Sequence, residues 1–171
     1  MPLDVLGLTK ELVAIDSVSA RSNAAAADRL EAEFRERGFE VERLEYDDAA
    51  GVRKVNLVAR KGEGTGGLAF LSHLDTVPGT GWDRDPWSPI VEGDRLIGLG
   101  ACDMKGPLAA TLIAAEVFGA AFAGGWAVAL LLNLADWGHY VLQALFFAAG
   151  VVVMAAFIRS ARRIEPFTEE R

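Results

Sequence analysis

The chain has 171 residues, 51% of them hydrophobic and 24% charged, with a net charge of −7 and one cysteine, Cys102. An acidic balance with no Lys/Arg cluster in the first part argues against nucleic acid as a partner. A single cysteine excludes an internal disulfide and suits a reducing compartment. The charge is unevenly spread: residues 1–116 hold 13 Lys and Arg against 20 Asp and Glu, residues 117–158 hold Asp136 alone, and residues 159–171 hold four basic and three acidic residues.

In chain order, Leu3 to Ile15 predicts a helix whose apolar residues Leu6, Leu8, Leu12, Val13 and Ile15 are roughly periodic. Its acidic, amphipathic character lacks a basic start and a long apolar run, which argues against a secretory signal and for a cytoplasmic first part. Asn23 is placed to cap a second helix, NAAAADRLEAEFRERG, with Ala27, Leu30 and Phe34 on one face and Gly38 just past its end. FEVERLEY alternates as a half-buried strand, NLVARKG follows as a second strand, and GEGTGG is a turn or connector. LAFLSHLD, apolar until Ser72, predicts a central strand buried on both faces. The ends of such strands are where open α/β sheets gather ligands and catalytic groups. Residues 76–94 read as loop, RLIGLGACDMKG as a short strand entering a glycine turn, and GPLAATLIAAE as a new helix with Pro107 in its first turn. Helices followed by strands and a further helix predict an α/β domain over residues 1–116.

His73 and Asp75 are the first chemical signal. On a strand, residues two apart face the same way. A carboxylate that accepts from one imidazole nitrogen leaves the other free for a metal. Asp103, in a glycine turn, is the next donor, and one carboxylate can bridge two divalent ions. Taken alone the signal is weak, because a His beside an Asp is more often an ordinary hydrogen-bonded pair.

Three blocks, HLDTVP, WDRDPWSP and GDRLIGLGACDMKGPLAA, resemble in order and spacing the amino-terminal half of the zinc aminoacylase/exopeptidase family. That family includes acetylornithine deacetylase, succinyl-diaminopimelate desuccinylase and carboxypeptidase-G-like enzymes. The likeness covers about residues 3–118 and implies the amino-terminal part of a zinc-exopeptidase-like α/β domain. It implies His73 as a ligand of one zinc, Asp75 as the catalytic-site carboxylate that orients it, and Asp103 as the bridge between two zincs. Gly98, Gly100 and Gly106 would shape the turn, while Trp82, Asp85 and Pro86 would be loop structure. Lys105 would be structural, pairing locally, and Cys102 would pack. The implied cofactor is two zinc ions, or cobalt in their place. The implied substrate is a small N-acyl amino acid or peptide, whose amide a metal-bridging water attacks with a glutamate as general base.

That glutamate belongs to a Glu-Glu pair in the family. About thirty residues past Asp103 this chain reads LLNLADWGHY, with Trp137 in the place of a glutamate. Asp136 and His139 are then turn residues in preference to substitute ligands, and Glu165, Glu169 and Glu170 match no motif. A zinc site takes three protein ligands plus water, or four. His73 and Asp103 supply two for one ion, so the expectation is a truncated family member, inactive as written.

The apolar stretches Val117–Ala135 and Tyr140–Ile158 are each 19 residues without a charge. As helices they span about 28 Å, against roughly 30 Å for a bilayer's hydrocarbon core. Trp137 and Tyr140 fit an interfacial belt, and RSARR follows directly. This predicts a transmembrane hairpin over 117–158 with both termini cytoplasmic and a polar tail over 159–171. The alternative is the core of a soluble cytoplasmic protein, with AVALLLNLA as a buried strand. Two further readings compete with the hydrolase: a membrane-anchored, non-catalytic protein, or a rearranged or frameshifted fusion joined near Glu116–Val117.

Overall fold

The computed structural model describes residues 4–62 and 69–164. The chain divides into two compact units, Met1–Thr111 and Leu112–Arg171. In order the elements are α1 (Val5–Val13), α2 (Ala24–Glu36), β1 (Glu40–Asp47), β2 (Arg53–Arg60), β3 (Ile90–Glu92), β4 (Arg95–Ile97), a π-type turn (Ala101–Lys105), α3 (Gly106–Leu131) and α4 (Asp136–Ile164). The content is mixed helix and strand, as the sequence predicts. The described strands form two antiparallel pairs, β1–β2 and β3–β4, and no single continuous sheet.

Helix α1 begins where the Asp4 side chain accepts from the Gly7 N–H at 2.9 Å, which satisfies one of the open donors of a first turn. Leu8, Leu12 and Val13 are buried along it, whereas Leu6 is exposed. The expected start at Leu3 lies outside the described residues. Helix α2 buries Ala26, Ala27 and Leu30. It ends in a Schellman motif: the Phe39 N–H bonds the Phe34 carbonyl at 3.0 Å and the Gly38 N–H bonds that of Arg35 at 3.0 Å. Gly38 takes the left-handed φ of 74° that this motif requires.

Asn23 does not cap α2 with its side chain. Its amide is drawn instead to β2, donating to the Val55 carbonyl at 2.9 Å and accepting from the Val55 N–H at 2.8 Å. A two-ended bond to a backbone edge outcompetes a single cap bond.

Strand β1 departs from the expected alternation. Leu44 and Tyr46 are exposed, while Arg43 carries the ion pairs to α2, meeting Asp28 at 2.8 Å and Glu31 at 2.9 Å. Charge pairing with the helix decides which face of the strand turns inward. On α2 itself, Glu33 is buried between Arg37 and Arg29, each 2.8 Å away. Burial alone would raise its pKa, but the hydrogen bonds from Arg37 and Arg29 outweigh it and hold the carboxyl below its ordinary value. A depressed carboxyl pKa adds stability that is present above the unfolded value near 4.5 and lost as pH falls through the folded one. Glu33→Gln should therefore flatten the acid limb of an unfolding titration below pH ~4.5. An unchanged acid limb in that variant would remove Glu33 from the account.

LAFLSHLD is the main departure. Leu68 lies outside the described residues, and residues 69–75 are extended without a ladder. The one pairing at this end is a parallel bridge between Val18 and Thr76. Leu71 is 93% exposed and Phe70 46%, so this is no central strand. A central strand needs neighbours paired along both edges and layers packed on both faces, and among the described residues no strand pairs with this segment. The stretch read as loop, 76–94, holds β3, which pairs with β4 from Ile90↔Ile97 to Glu92↔Arg95. The GEGTGG connector lies outside the described residues beyond Gly62.

Helix α3 starts at Gly106 and runs unbroken through Glu116–Val117, so neither an interruption at Gly119, Gly124 and Gly125 nor a strand at AVALLLNLA occurs. It ends with Asn133 in the left-handed region at φ 48°. There the Leu134 N–H bonds the Ala129 carbonyl at 3.1 Å and the Asn133 N–H that of Leu130 at 3.0 Å. Helix α4 opens at Asp136, four residues before the expected Tyr140, and lies against α3 with Phe147 between Phe118 (5.4 Å) and Phe122 (5.7 Å). Residues 165–171 of the expected polar tail, with Glu165, Glu169 and Glu170, lie outside the described residues.

Candidate metal centre

His73 and Asp75 sit on the extended segment, and Asp103 sits in the turn before α3. Both segments are held by the loop that follows α1. On one side the Ser17 hydroxyl donates to the Leu74 carbonyl at 2.7 Å. The Thr76 N–H bonds the Ser17 carbonyl at 3.0 Å, and the Ser19 N–H bonds the Thr76 carbonyl at 2.9 Å. On the other side, Lys105 is fully buried and donates to the Ile15 carbonyl at 2.8 Å, with its ammonium 5.5 Å from the centre of the Trp87 ring. Residues Ile15 to Ser19 thus fix His73 and Asp103 relative to each other, although the two are thirty positions apart.

The turn carrying Asp103 depends on its glycines. Gly100 is left-handed at φ 81°, and a Cβ there would lie 2.6 Å from the Thr76 Cγ2. A Cβ at Gly98 would meet the Val13 Cγ1 at 2.5 Å, which shows how closely the turn lies on α1. The Lys105 N–H closes the turn on the Gly100 carbonyl at 2.9 Å. Asp85 and Pro86 are loop structure as expected: the Asp85 carboxylate accepts from the Trp87 N–H at 3.0 Å, and the Pro86 carbonyl accepts from Leu99 at 3.0 Å.

The three predicted site residues come together. The His73 Nδ1 is 3.0 Å from the Asp75 carbonyl oxygen and 3.3 Å from its Oδ1. Both partners are acceptors, so Nδ1 carries the hydrogen and Nε2 is the nitrogen left for another partner. Nε2 faces the Asp103 Oδ1 at 3.2 Å. Behind them the Ser19 hydroxyl donates to the Asp75 Oδ2 at 2.5 Å. That bond is the largest contribution holding the Asp75 carboxyl below its ordinary pKa, against partial burial and with help from its own backbone N–H and His73.

Two expectations fail here. Cys102 is exposed, not packed. Lys105 is structural, but its partner is Ile15, ninety residues away, not a local group. The sequence reading missed Ser17 and Ser19. Nothing in IDSVS signals their roles until the bridge to Thr76 is known.

Does this arrangement fit zinc? Two ligands on one edge of a zinc tetrahedron, each about 2.0 Å from the metal, lie roughly 3.3 Å apart. The 3.2 Å between the His73 Nε2 and the Asp103 Oδ1 matches that edge. The fit stops at two: among the described residues no group of three His, Cys, Asp or Glu side chains is gathered for a metal. Asp136 opens α4, and His139, in its first turn, joins no metal cluster among the described residues. The described residues therefore offer part of a zinc site and do not complete one.

Comparison with known proteins covers the stretch that holds these residues. The model of "Peptidase family M20/M25/M40" matches residues 69–132, which include His73, Asp75 and Asp103. Over that region the chain is similar to this family.

The M20 match runs through Glu116–Val117 and past residue 118, where the expected likeness stops, to residue 132. A succinyl-diaminopimelate desuccinylase of Sphingopyxis alaskensis is 40% identical over 115 residues, which are 66% of this chain and 30% of the relative. An acetylornithine deacetylase of Myxococcus xanthus is 43% identical over 108 residues, 61% of this chain and 28% of that protein. A succinyl-diaminopimelate desuccinylase of Xanthomonas campestris pv. campestris is 42% identical over 127 residues, 71% and 31% respectively. The chain thus spans about three tenths of the length of the curated relatives it matches.

Proposed function

We propose that the first unit is the opening portion of an M20-type amidohydrolase, with His73 and Asp103 as zinc donors and Asp75 as the carboxylate that orients His73. The observation that carries this reading is the line Ser19–Asp75–His73–Asp103, with each contact between 2.5 and 3.3 Å. Within it, Ser19 holds Asp75, Asp75 fixes the imidazole hydrogen on Nδ1, and the buried Lys105 holds the turn that presents Asp103. The names of the relatives point to small N-acylated amino acids, acetyl- or succinyl-substituted, as the substrate class. Zinc supplies Lewis acidity to such reactions when fully ligated. With two donors gathered and no carboxylate placed as a general base, no hydrolytic step is assigned to the described residues. We read the 171 residues on their own as catalytically silent.

The test is zinc per chain after dialysis of the full 171-residue protein against metal-free buffer, with hydrolysis of N-acetylornithine and N-succinyl-diaminopimelate measured on the same sample. The expected result is well under one tightly held zinc and no turnover. Weak cobalt binding should be lost in His73→Ala and Asp103→Ala. Two zincs per chain with turnover would overturn the silent reading and demand ligands from elsewhere. Cobalt binding indifferent to both substitutions would overturn the metal role itself.

A further inference from the structure

The second unit is built inside out for a water-soluble helix pair. Its seam is lined with small residues. A Cβ at Gly125 would lie 3.1 Å from the Gln143 Cα, one at Gly124 would lie 3.1 Å from the Phe146 ring, and one at Gly150 would lie 3.4 Å from the Ala121 Cβ. Apart from the Phe118, Phe122 and Phe147 rings that meet across the seam, many large side chains point outward: Leu131 is 83% exposed, Trp137 74%, Val152 67% and Leu145 61%. A soluble hairpin buries its large aliphatics at the seam and turns polar groups to water. A hairpin in lipid does the reverse, because acyl chains are as apolar as leucine and the helices associate through small residues.

Length and charge agree with the packing. Both helices are long and apolar enough to cross a membrane. Their most apolar 18-residue windows have mean hydropathies of 1.6 and 1.8, with 22% and 6% of the window buried. Asp136 is the sole charged residue from Val117 to Ile158, and Arg159, Arg162 and Arg163 follow at the end of α4. This is the flank expected of a segment whose end stays on the positive-inside face. We propose that the second unit inserts into a lipid bilayer as a two-helix hairpin, its outward aliphatic and aromatic side chains against acyl chains. The occupant of the apolar surface is lipid, and a second copy of the chain or a soluble partner is the competing outcome.

The test is flotation. The full chain is synthesised without cells in the presence of vesicles of phosphatidylethanolamine and phosphatidylglycerol, and the vesicles are floated on a density gradient and washed with alkaline carbonate. Most of the chain is expected to float and to resist the wash. Leu145 is near the middle of α4, and in water an exposed Leu→Arg change there would be harmless. In lipid, Leu145→Arg should cut the floated, wash-resistant fraction about tenfold, while Leu44→Arg, exposed on β1, should float like the unmodified chain. The proposal is overturned if the chain stays with the soluble load, pellets as lipid-independent aggregate, or runs as a discrete soluble dimer without detergent. Equal flotation of Leu145→Arg also sinks it. None of these readouts involves zinc, so the outcome is independent of the metal assignment.

Discussion

Leu12→Ala should lower the stability of the first unit by about 2–5 kcal/mol, the cost of emptying a fully buried leucine site. Leu12 is 0% exposed, and α1 carries much of the core of this unit through Leu8, Leu12 and Val13. A loss of that size is a large share of the total stability of an ordinary domain. Leu6→Ala, on the same helix but 47% exposed, should cost no more than about 0.5 kcal/mol. Urea unfolding of the full chain, followed by amide exchange of α1 and α2, separates the two. Equal effects of the two substitutions would show that α1 does not anchor the core.

Gly100→Ala should have the next largest effect and should reach the candidate site. The left-handed φ of 81° costs an alanine about 1–2 kcal/mol, and the new Cβ would stand 2.6 Å from the Thr76 Cγ2. Overpacking of this kind adds roughly 1–3 kcal/mol. The two terms can be separated: Thr76→Ser removes the methyl and keeps the hydroxyl. In the double variant Gly100→Ala/Thr76→Ser the crowding should vanish while the backbone cost remains, recovering about half of the loss. Because Gly100 and Thr76 belong to the two segments that carry Asp103 and His73, the single variant should also weaken cobalt binding more than its stability loss explains. A double variant no better than the single one would assign the whole effect to φ.

Much of the first unit was legible because its signals are local. The end of α2 is written in Gly38, the β1–β2 strands in β-branched and aromatic residues, and the turn in Gly98, Gly100 and Gly106. The candidate residues were picked out by motif spacing, and His73, Asp75 and Asp103 do lie together. What failed depends on partners distant in the chain. LAFLSHLD has the composition of a buried strand, but composition does not supply the neighbouring strands that burial needs. Asn23 has the identity of a cap, but Val55, thirty-two residues on, offers its amide two bonds in place of one. The outward side of β1 is set by Arg43 reaching Asp28 and Glu31, a competition that alternation along a single strand does not reveal. Ser19 and Lys105 act across 56 and 90 residues, where no periodicity reports. The composition change near Val117 is plain in the sequence, yet α3 and the M20 match both continue through it.

The loop from Ile15 to Ser19 gives the two halves of the candidate centre a common fate. It grips the His73 segment through Ser17 and Ser19 and the Asp103 turn through the Ile15 carbonyl, so a fluctuation that peels α1 from the core releases both at once. Donors thirty residues apart would then be lost in one opening event rather than two, and their amides should exchange at a shared rate set by α1. The affinity of such a centre for an ion is tied to the folding equilibrium of a helix that contributes no ligand to it.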